Sequence, residues 1–256
     1  TAEKDPKKIF GIAVLFSFIA VAFAEYIFPT QSSVFTVALV TMLFLPLFQR
    51  LFEIEEKKDY KLHSNLFKRH EELFVVFGSF FLGLVVAMSA IYVFFPTMRG
   101  AFSLQEGWYT SNGMMAGQAT GDGAFSAFFI NNSQVLLMMF LLSIIFGAGA
   151  VFILAWNASI IAVYVGFVIN SFIRSGVSPE LAYVLGVPAG VGSIALHGVP
   201  EIGAYIIGAF AGGMLSVGVI RERFKGHFNQ IFTDSLIFLA AAEALIILAA
   251  MLEAYV

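Results

Sequence analysis

The chain has 256 residues, of which 59% are hydrophobic and only 12% are charged, and its formal net charge is −3. A soluble domain is closer to half apolar and one quarter charged, so this composition excludes a soluble globular enzyme and a disordered chain. The small net charge argues against nucleic acid as a partner. Because the chain contains no cysteine, disulfides and cysteine-ligated metal sites are excluded as well. The composition predicts an all-α fold, a polytopic transmembrane helical bundle.

Residues 1–48 are predicted to form an N-terminal two-helix membrane hairpin. Two apolar segments, 9–28 and 34–48, are separated by the polar residues 30–33. The first segment follows lysines, as the core of a signal peptide would, but it lacks a small-residue cleavage site. At about 20 residues it is long enough for a membrane helix. We therefore expect a retained span.

Residues 49–72 are the most highly charged stretch, with six Lys or Arg and six Asp or Glu residues. The stretch contains no Pro or Gly and carries a weak apolar stripe at helical spacing, which predicts a charged cytoplasmic helical linker. A third span is predicted over residues 73–95. The Gly-, Ser- and Asn-rich region 97–133 shows no helical periodicity and is predicted to be a long loop.

The remaining sequence contains five more apolar segments, at 134–155, 158–173, 180–196, 200–220 and 235–256. A turn is predicted at Trp156 and Asn157, because the uncharged stretch around them is too long for one helix. A break is predicted at Leu196-His197-Gly198-Val199-Pro200, because Pro and Gly both weaken a helix interior.

The distribution of Lys and Arg predicts the orientation of the chain. Twelve of the fourteen lie before the first span, in the 49–72 linker or between residues 221 and 225, leaving only Arg99 and Arg174. Cytoplasmic segments carry an excess of Lys and Arg, so we expect a multi-pass protein of the cell membrane with a cytoplasmic N-terminus. An even number of crossings must then separate Trp156 from residue 221, although three apolar segments lie between them. This parity predicts about seven spans plus one re-entrant or broken segment, with 180–196 favoured over 158–173.

His197 and Glu201 are the candidate site, because they are the only His, Asp, Glu, Lys or Arg residues between Glu180 and Arg221. Four residues apart, they share a helical face. A structural pair, an ion-, proton- or ligand-binding pathway and a divalent metal site are all compatible with this pattern. A catalytic metal normally needs three protein ligands, so a metal at His197 and Glu201 would need a further ligand such as Glu243. We expect no other cofactor.

Glu243 lies in an alanine-rich helical segment, where small residues allow close helix packing. Its carboxyl is expected to hydrogen-bond to a neighbouring helix, or else to be the partner of His197. Two GxxxG patterns, at 186–190 and 208–212, are expected to serve packing within the chain more than dimerisation.

The second half of the chain resembles the stage II sporulation protein M (SpoIIM) family. The resemblance covers roughly residues 60–256 and is most specific at the HGxxE element formed by His197-Gly198-Val199-Pro200-Glu201. It also includes Asn131-Asn132, Gly147 and Gly149, Asn157, and a helix ending in Gly212-Gly213. Asn157-Ala158 departs from the Asn-Gly that the family favours. By this resemblance residues 73–256 form a SpoIIM-like membrane domain, and the two preceding spans look like an addition typical of archaeal members.

The resemblance implies an integral membrane protein without an assigned catalytic activity. A member of the family in spore-forming bacteria is similar to a membrane anchor for peptidoglycan-remodelling partners. The expected function is therefore a non-enzymatic scaffold or a small permease-like transport unit with a buried His/Glu polar centre. Its expected partners are the lipid bilayer, a second copy of the chain in a dimer, and a membrane or cell-envelope protein. The alternative is an intramembrane metal-dependent hydrolase that uses His197, Glu201 and Glu243.

Overall fold

The computed structural model describes residues 5–56, 66–113, 121–147, 149–221 and 228–255. This part of the chain is helical and contains no strand. Its α-helices are α1 (Pro6–Ile27), α2 (Ser32–Glu56), α3 (Leu66–Arg69), α4 (Glu71–Phe94), α5 (Ser103–Trp108), α6 (Asp122–Phe146), α7 (Ala150–Arg174), α8 (Pro179–Arg221) and α9 (Phe228–Tyr255). Seven of them, all except α3 and α5, are long and apolar enough to cross a membrane. The predicted all-α polytopic bundle is confirmed.

The first two helices, α1 and α2, are joined by a short turn and pack against each other. α1 begins after Asp5, whose carboxylate accepts hydrogen bonds from the backbone N–H groups of Lys7 and Lys8 and thereby caps the helix. At the turn between the helices the rings of Phe28 and Phe35 stack with their centroids 4.0 Å apart. α2 continues to Glu56, past its predicted end, so the first part of the 49–72 linker is helical; residues 57–65 lie outside the described residues.

The region predicted as a loop over residues 97–133 is largely helical, so that prediction is wrong. A 3-10 helix over Pro96–Phe102, then α5 and a π-helical turn over Tyr109–Gly113, cover the end of the α1–α2 hairpin. The hydroxyl of Ser33 on α2 links the hairpin to these short helices. It donates to the carbonyl of Gly100 and lies 3.0 Å from the hydroxyl of Ser103. Residues 114–120 lie outside the described residues.

The turn predicted at Trp156 and Asn157 is also wrong, because the chain turns between Phe146 and Ala150. Gly147 takes a positive φ of 71° there, a conformation that glycine adopts without steric cost. Asn157 lies inside α7, where its side-chain amide donates to the carbonyl of Ile153 at 2.8 Å. A polar side chain satisfied within its own helix does not require a turn. α6 and α7 are therefore each 25 residues long.

The predicted break between 180–196 and 200–220 is absent, because both segments belong to the 43-residue helix α8. Pro188 and Pro200 lie within this helix. Prolines are tolerated in membrane helices where neighbouring groups satisfy the backbone atoms that they leave free. At 1.5 Å per residue α8 is about 65 Å long, roughly twice the thickness of the hydrocarbon core of a bilayer.

The two halves of α8 pack against different helices. In the C-terminal half, Gly208 and Gly212 meet Leu136 and Phe140 of α6, and α9 runs antiparallel alongside. In the N-terminal half, Gly186 and Gly190 approach the backbone of α7 closely. Both GxxxG patterns are thus used within the chain, as expected. Joining the two apolar segments in one helix also restores the crossing parity without a re-entrant segment.

We expect Gly212→Ala to destabilise the protein. A Cβ atom at Gly212 would lie 2.7 Å from the Cβ of Ser143 and would also clash with the carbonyl of Phe140. Overpacking of this kind costs about 1–3 kcal/mol, which equilibrium unfolding of the detergent-solubilised protein would measure. Gly192→Ala is the matched control in the same helix, since no atom lies within 4 Å of its Cβ position. The control should leave the free energy of unfolding unchanged or raise it by up to about 1 kcal/mol; equal losses in both variants would contradict the packing.

Candidate functional site

Glu201 belongs to a hydrogen-bonded pair on α8. The hydroxyl of Tyr205 donates to the carboxyl group of Glu201, and Tyr205 is only 1% exposed. Residues four apart lie one turn above each other on one helical face, so the helix itself brings the two side chains together. The partner that the structure gives Glu201 is therefore Tyr205.

Glu253 is a second carboxyl group close to this pair and was not predicted as a site residue. It lies in the last turn of α9 and interacts electrostatically with both Glu201 and Tyr205. α9 runs antiparallel to α8, which brings its C-terminal end to the level of Glu201. The sequence places Glu253 near a span end but contains no signal for this pairing, because it does not reveal the register of α9 against α8.

Glu243 is held by a different helix, as the first of the two sequence-based alternatives expected. The hydroxyl of Ser133 on α6 donates to its carboxylate at 2.5 Å. On the same turn of α6, the side-chain amide of Asn131 donates to Asn132 at 3.0 Å. These contacts explain why three polar residues fit within a membrane helix at a place predicted to be a loop.

His197 is half-buried, and no other residue in the described ranges hydrogen-bonds to its side chain or forms an ion pair with it. The structure therefore does not pair His197 with Glu201. Among the described residues, no group of three His, Asp or Glu side chains lies close enough to hold a metal ion. The structure brings the predicted carboxyl groups into two separate contacts, Glu201 with Tyr205 and Glu243 with Ser133. Binding of an ion or a ligand by these residues stays a prediction.

A buried histidine at the opposite end of the bundle was missed by the sequence analysis, which placed His70 in the charged linker. Its side chain is 2% exposed, and its ring lies 4.8 Å from that of Phe210. It lines a small pocket together with Asp234, Ser235 and several apolar side chains. Its charged neighbours in the sequence conceal the fact that His70 is buried, immediately before α4 begins.

Arg99 is anchored where the 3-10 helix leaves α4. Its Nε donates to the carbonyl of Tyr92 at 2.9 Å, and its guanidinium lies 5.3 Å from the centre of the Tyr92 ring. The hydroxyl of Tyr92 donates to Glu106 at 2.6 Å. Tyr92 therefore lies between the cation and the carboxylate, and holds both by separate contacts.

The comparisons with known proteins give one match. The family model described as stage II sporulation protein M matches residues 73–256, which include α4 to α9 and all the polar contacts of α6, α8 and α9 described above. No curated protein and no solved structure gives a significant match.

We expect Ser133→Ala to destabilise the protein by about 1 kcal/mol, because it removes the only donor described for Glu243 and a hydrogen bond between two membrane helices. Ser126→Ala is the matched control, since Ser126 bonds only to the carbonyl of Asp122 in its own helix and is exposed. Thermal or denaturant unfolding in detergent micelles would compare the two. A loss in Ser126→Ala as large as in Ser133→Ala would show that the contact with Glu243 is not the cause.

Proposed function

The chain belongs to the stage II sporulation protein M family, and on this basis we propose that it is a non-enzymatic membrane scaffold. Its seven apolar helices and its family identify a multi-pass membrane protein. In the proposed scaffold the polar groups inside the bundle fix the helices against one another. The surfaces at the ends of the bundle and towards the lipid are left to bind partners.

The observation that supports this proposal is that two carboxyl groups inside the bundle each accept a hydrogen bond from a hydroxyl group. Glu201 accepts from Tyr205, and Glu243 accepts from Ser133. The two pockets described, one beside His70 and one beside Arg99, are lined by other residues. A buried polar group that is fully bonded to its neighbours specifies how helices pack, which is the requirement of a scaffold. Transport would need such groups to face a solvated path.

A permease-like unit is the second candidate, and Glu253 is the observation that favours it. Two carboxyl groups, Glu201 and Glu253, interact across two helices inside an apolar bundle. Ionisable side chains within membrane segments are costly and often mark ion or proton pathways. The hydrolase alternative has less support, because Glu201 and Glu243 are held by different partners and a catalytic metal needs three ligands.

The proposed scaffold has a cytoplasmic N-terminus, acts as a homo-oligomer such as a dimer, and binds a membrane or cell-envelope protein. The clustering of twelve of fourteen cations in three segments supports the orientation. With seven crossings these three segments lie at one end of the bundle. Phe52 of α2 and Phe210 of α8, which pack with ring centroids 6.4 Å apart, lie near that same end.

The double variant Glu201→Gln/Glu253→Gln separates the scaffold from the permease. Glutamine keeps the size and the acceptor oxygen of glutamate but cannot carry charge. If the pair is structural, the variant should reach near wild-type levels in the membrane and rescue a strain that lacks the gene in the source organism. Protein reconstituted in liposomes loaded with a pH-sensitive dye should show the same proton flux for wild type and variant.

A wild-type proton or ion flux that the double variant abolishes, at unchanged folding, would contradict the scaffold and support the permease. Ser126→Ala is the control for both measurements, because its side chain is exposed and bonds only within its own helix. Loss of rescue with normal membrane levels would also count against a purely structural role.

The orientation is tested by cysteine labelling in a chain that has no native cysteine. Lys58→Cys and Lys225→Cys should react with a membrane-impermeant thiol reagent from the cytoplasmic side only. Ser111→Cys, at an exposed position beyond α5, should react only from the opposite side. Labelling of Lys58→Cys and Lys225→Cys from opposite sides would contradict the seven crossings.

A further inference from the structure

A small polar pocket lies where α4, α7 and α8 meet, at the end of the bundle that carries the 3-10 helix. It opens to the surface and is lined by Val93, Arg99, Gly166, Ile169, Asn170 and Tyr183. Three of these residues, Arg99, Asn170 and Tyr183, carry hydrogen-bond donors, and none of the six is acidic. The pocket is separate from the Glu201 and Glu243 contacts.

Except for Nε of Arg99, the side-chain donors of this pocket have no partner among the described residues. Nε of Arg99 is bound to the carbonyl of Tyr92, whereas its two terminal nitrogens have no partner among the described residues. The same holds for the side-chain amide of Asn170 and the hydroxyl of Tyr183. Glu106 accepts from Tyr92, and the carboxylate of Glu25 lies against Gly100, the residue after Arg99. Among the described residues neither forms an ion pair with Arg99, so the pocket presents a cation and two neutral donors.

The position of the pocket along the helices corresponds to a membrane interface. Arg99 follows the end of α4, Asn170 lies one turn before the end of α7, and Tyr183 lies one turn after the start of α8. Apolar side chains beside it face outward: Phe94, whose ring contacts that of Tyr183, is 60% exposed, and Val184 is 67% exposed. Polar donors at headgroup depth thus lie next to an apolar surface at the depth of acyl chains.

We propose that this pocket binds a phosphate group, and that the headgroup of an anionic phospholipid supplies it. Guanidinium groups bind phosphate through charge-assisted, often bidentate hydrogen bonds. The Tyr92 ring and carbonyl hold Arg99 in place, so little side-chain freedom is lost on binding. The absence of an acidic side chain from the six lining residues favours a headgroup with net negative charge over a zwitterionic one, whose ammonium would find no partner.

Native mass spectrometry of the purified full-length chain tests the proposal. The probes are phosphatidylglycerol and phosphatidylcholine with identical acyl chains, titrated into delipidated protein. The wild type should bind one phosphatidylglycerol about tenfold more tightly than phosphatidylcholine. Arg99→Gln and Asn170→Asp should each lose this preference, because a charge-assisted hydrogen bond is removed or a repulsive charge is added. Arg174→Gln is the matched control, since Arg174 is exposed at the same end of α7 but does not line the pocket.

Inorganic phosphate distinguishes a free anion from a lipid. Sodium phosphate, compared with sodium chloride at equal ionic strength, should raise the unfolding temperature of the wild type and of Arg174→Gln but not of Arg99→Gln. If phosphate has this effect while phosphatidylglycerol binds all variants equally, the phosphate site stands and the lipid source is overturned. Equal lipid binding by wild type, Arg99→Gln and Asn170→Asp without any phosphate effect overturns the whole proposal. Asn170→Asp decides the outcome if Arg99→Gln does not fold, because it leaves the contacts of Arg99 with Tyr92 in place.

Discussion

The length of α8 is the constraint on which the rest of the described fold depends. An apolar helix of 43 residues is about 65 Å long, and a single perpendicular crossing uses only about 30 Å of it. The helix therefore extends well past one span length. α6 and α9 pack along its C-terminal half, whereas α7 contacts one face of its N-terminal half at Gly186 and Gly190 and leaves apolar side chains such as Val184 exposed. α8 thus joins two groups of helices that have few other contacts with each other.

The polar groups inside the membrane region follow from this arrangement. α6, α8 and α9 pack closely because small residues line α8, and close backbones bring carboxyl groups within reach of hydroxyl donors. Glu243 accepts a hydrogen bond from Ser133 on a neighbouring helix, while Glu201 accepts one from Tyr205 on its own helix. Since a lipid-facing carboxylate would cost about 2.5–3.5 kcal/mol on insertion scales, these contacts favour one rotation of each helix about its axis. The hydrogen bonds that draw attention to Glu201 and Glu243 as a site therefore also determine how α6, α8 and α9 pack.

The class of fold and the number of spans could be predicted from the sequence because both follow from apolar length. Turns could not be located reliably: Asn157 and the 131–133 segment look like turn residues, yet their side chains are satisfied inside helices or across to Glu243. Pro188 and Pro200 suggest a break only when neighbouring helices are ignored. Part of the candidate site could be predicted, because Glu201 and Glu243 are rare ionisable residues within apolar segments. Their partners depend on helix register, which a single sequence does not encode locally, and Glu253 was missed for that reason. His70 was missed because its neighbours in the sequence are charged.

The unexpected continuity of α8 also accounts for the polar pocket at the opposite end of the chain's cationic clusters. Had 180–196 been a re-entrant segment separate from 200–220, as predicted, the contact of Tyr183 with Phe94 would not follow from the packing of the C-terminal half of α8. With α8 beginning at Pro179, its first turns close over α4 and α7, and enclose Arg99 beside Asn170. Arg99 is one of only two cations outside the three basic segments. Its guanidinium is held at a helix junction by Tyr92, and its two terminal nitrogens keep donors that no described residue uses.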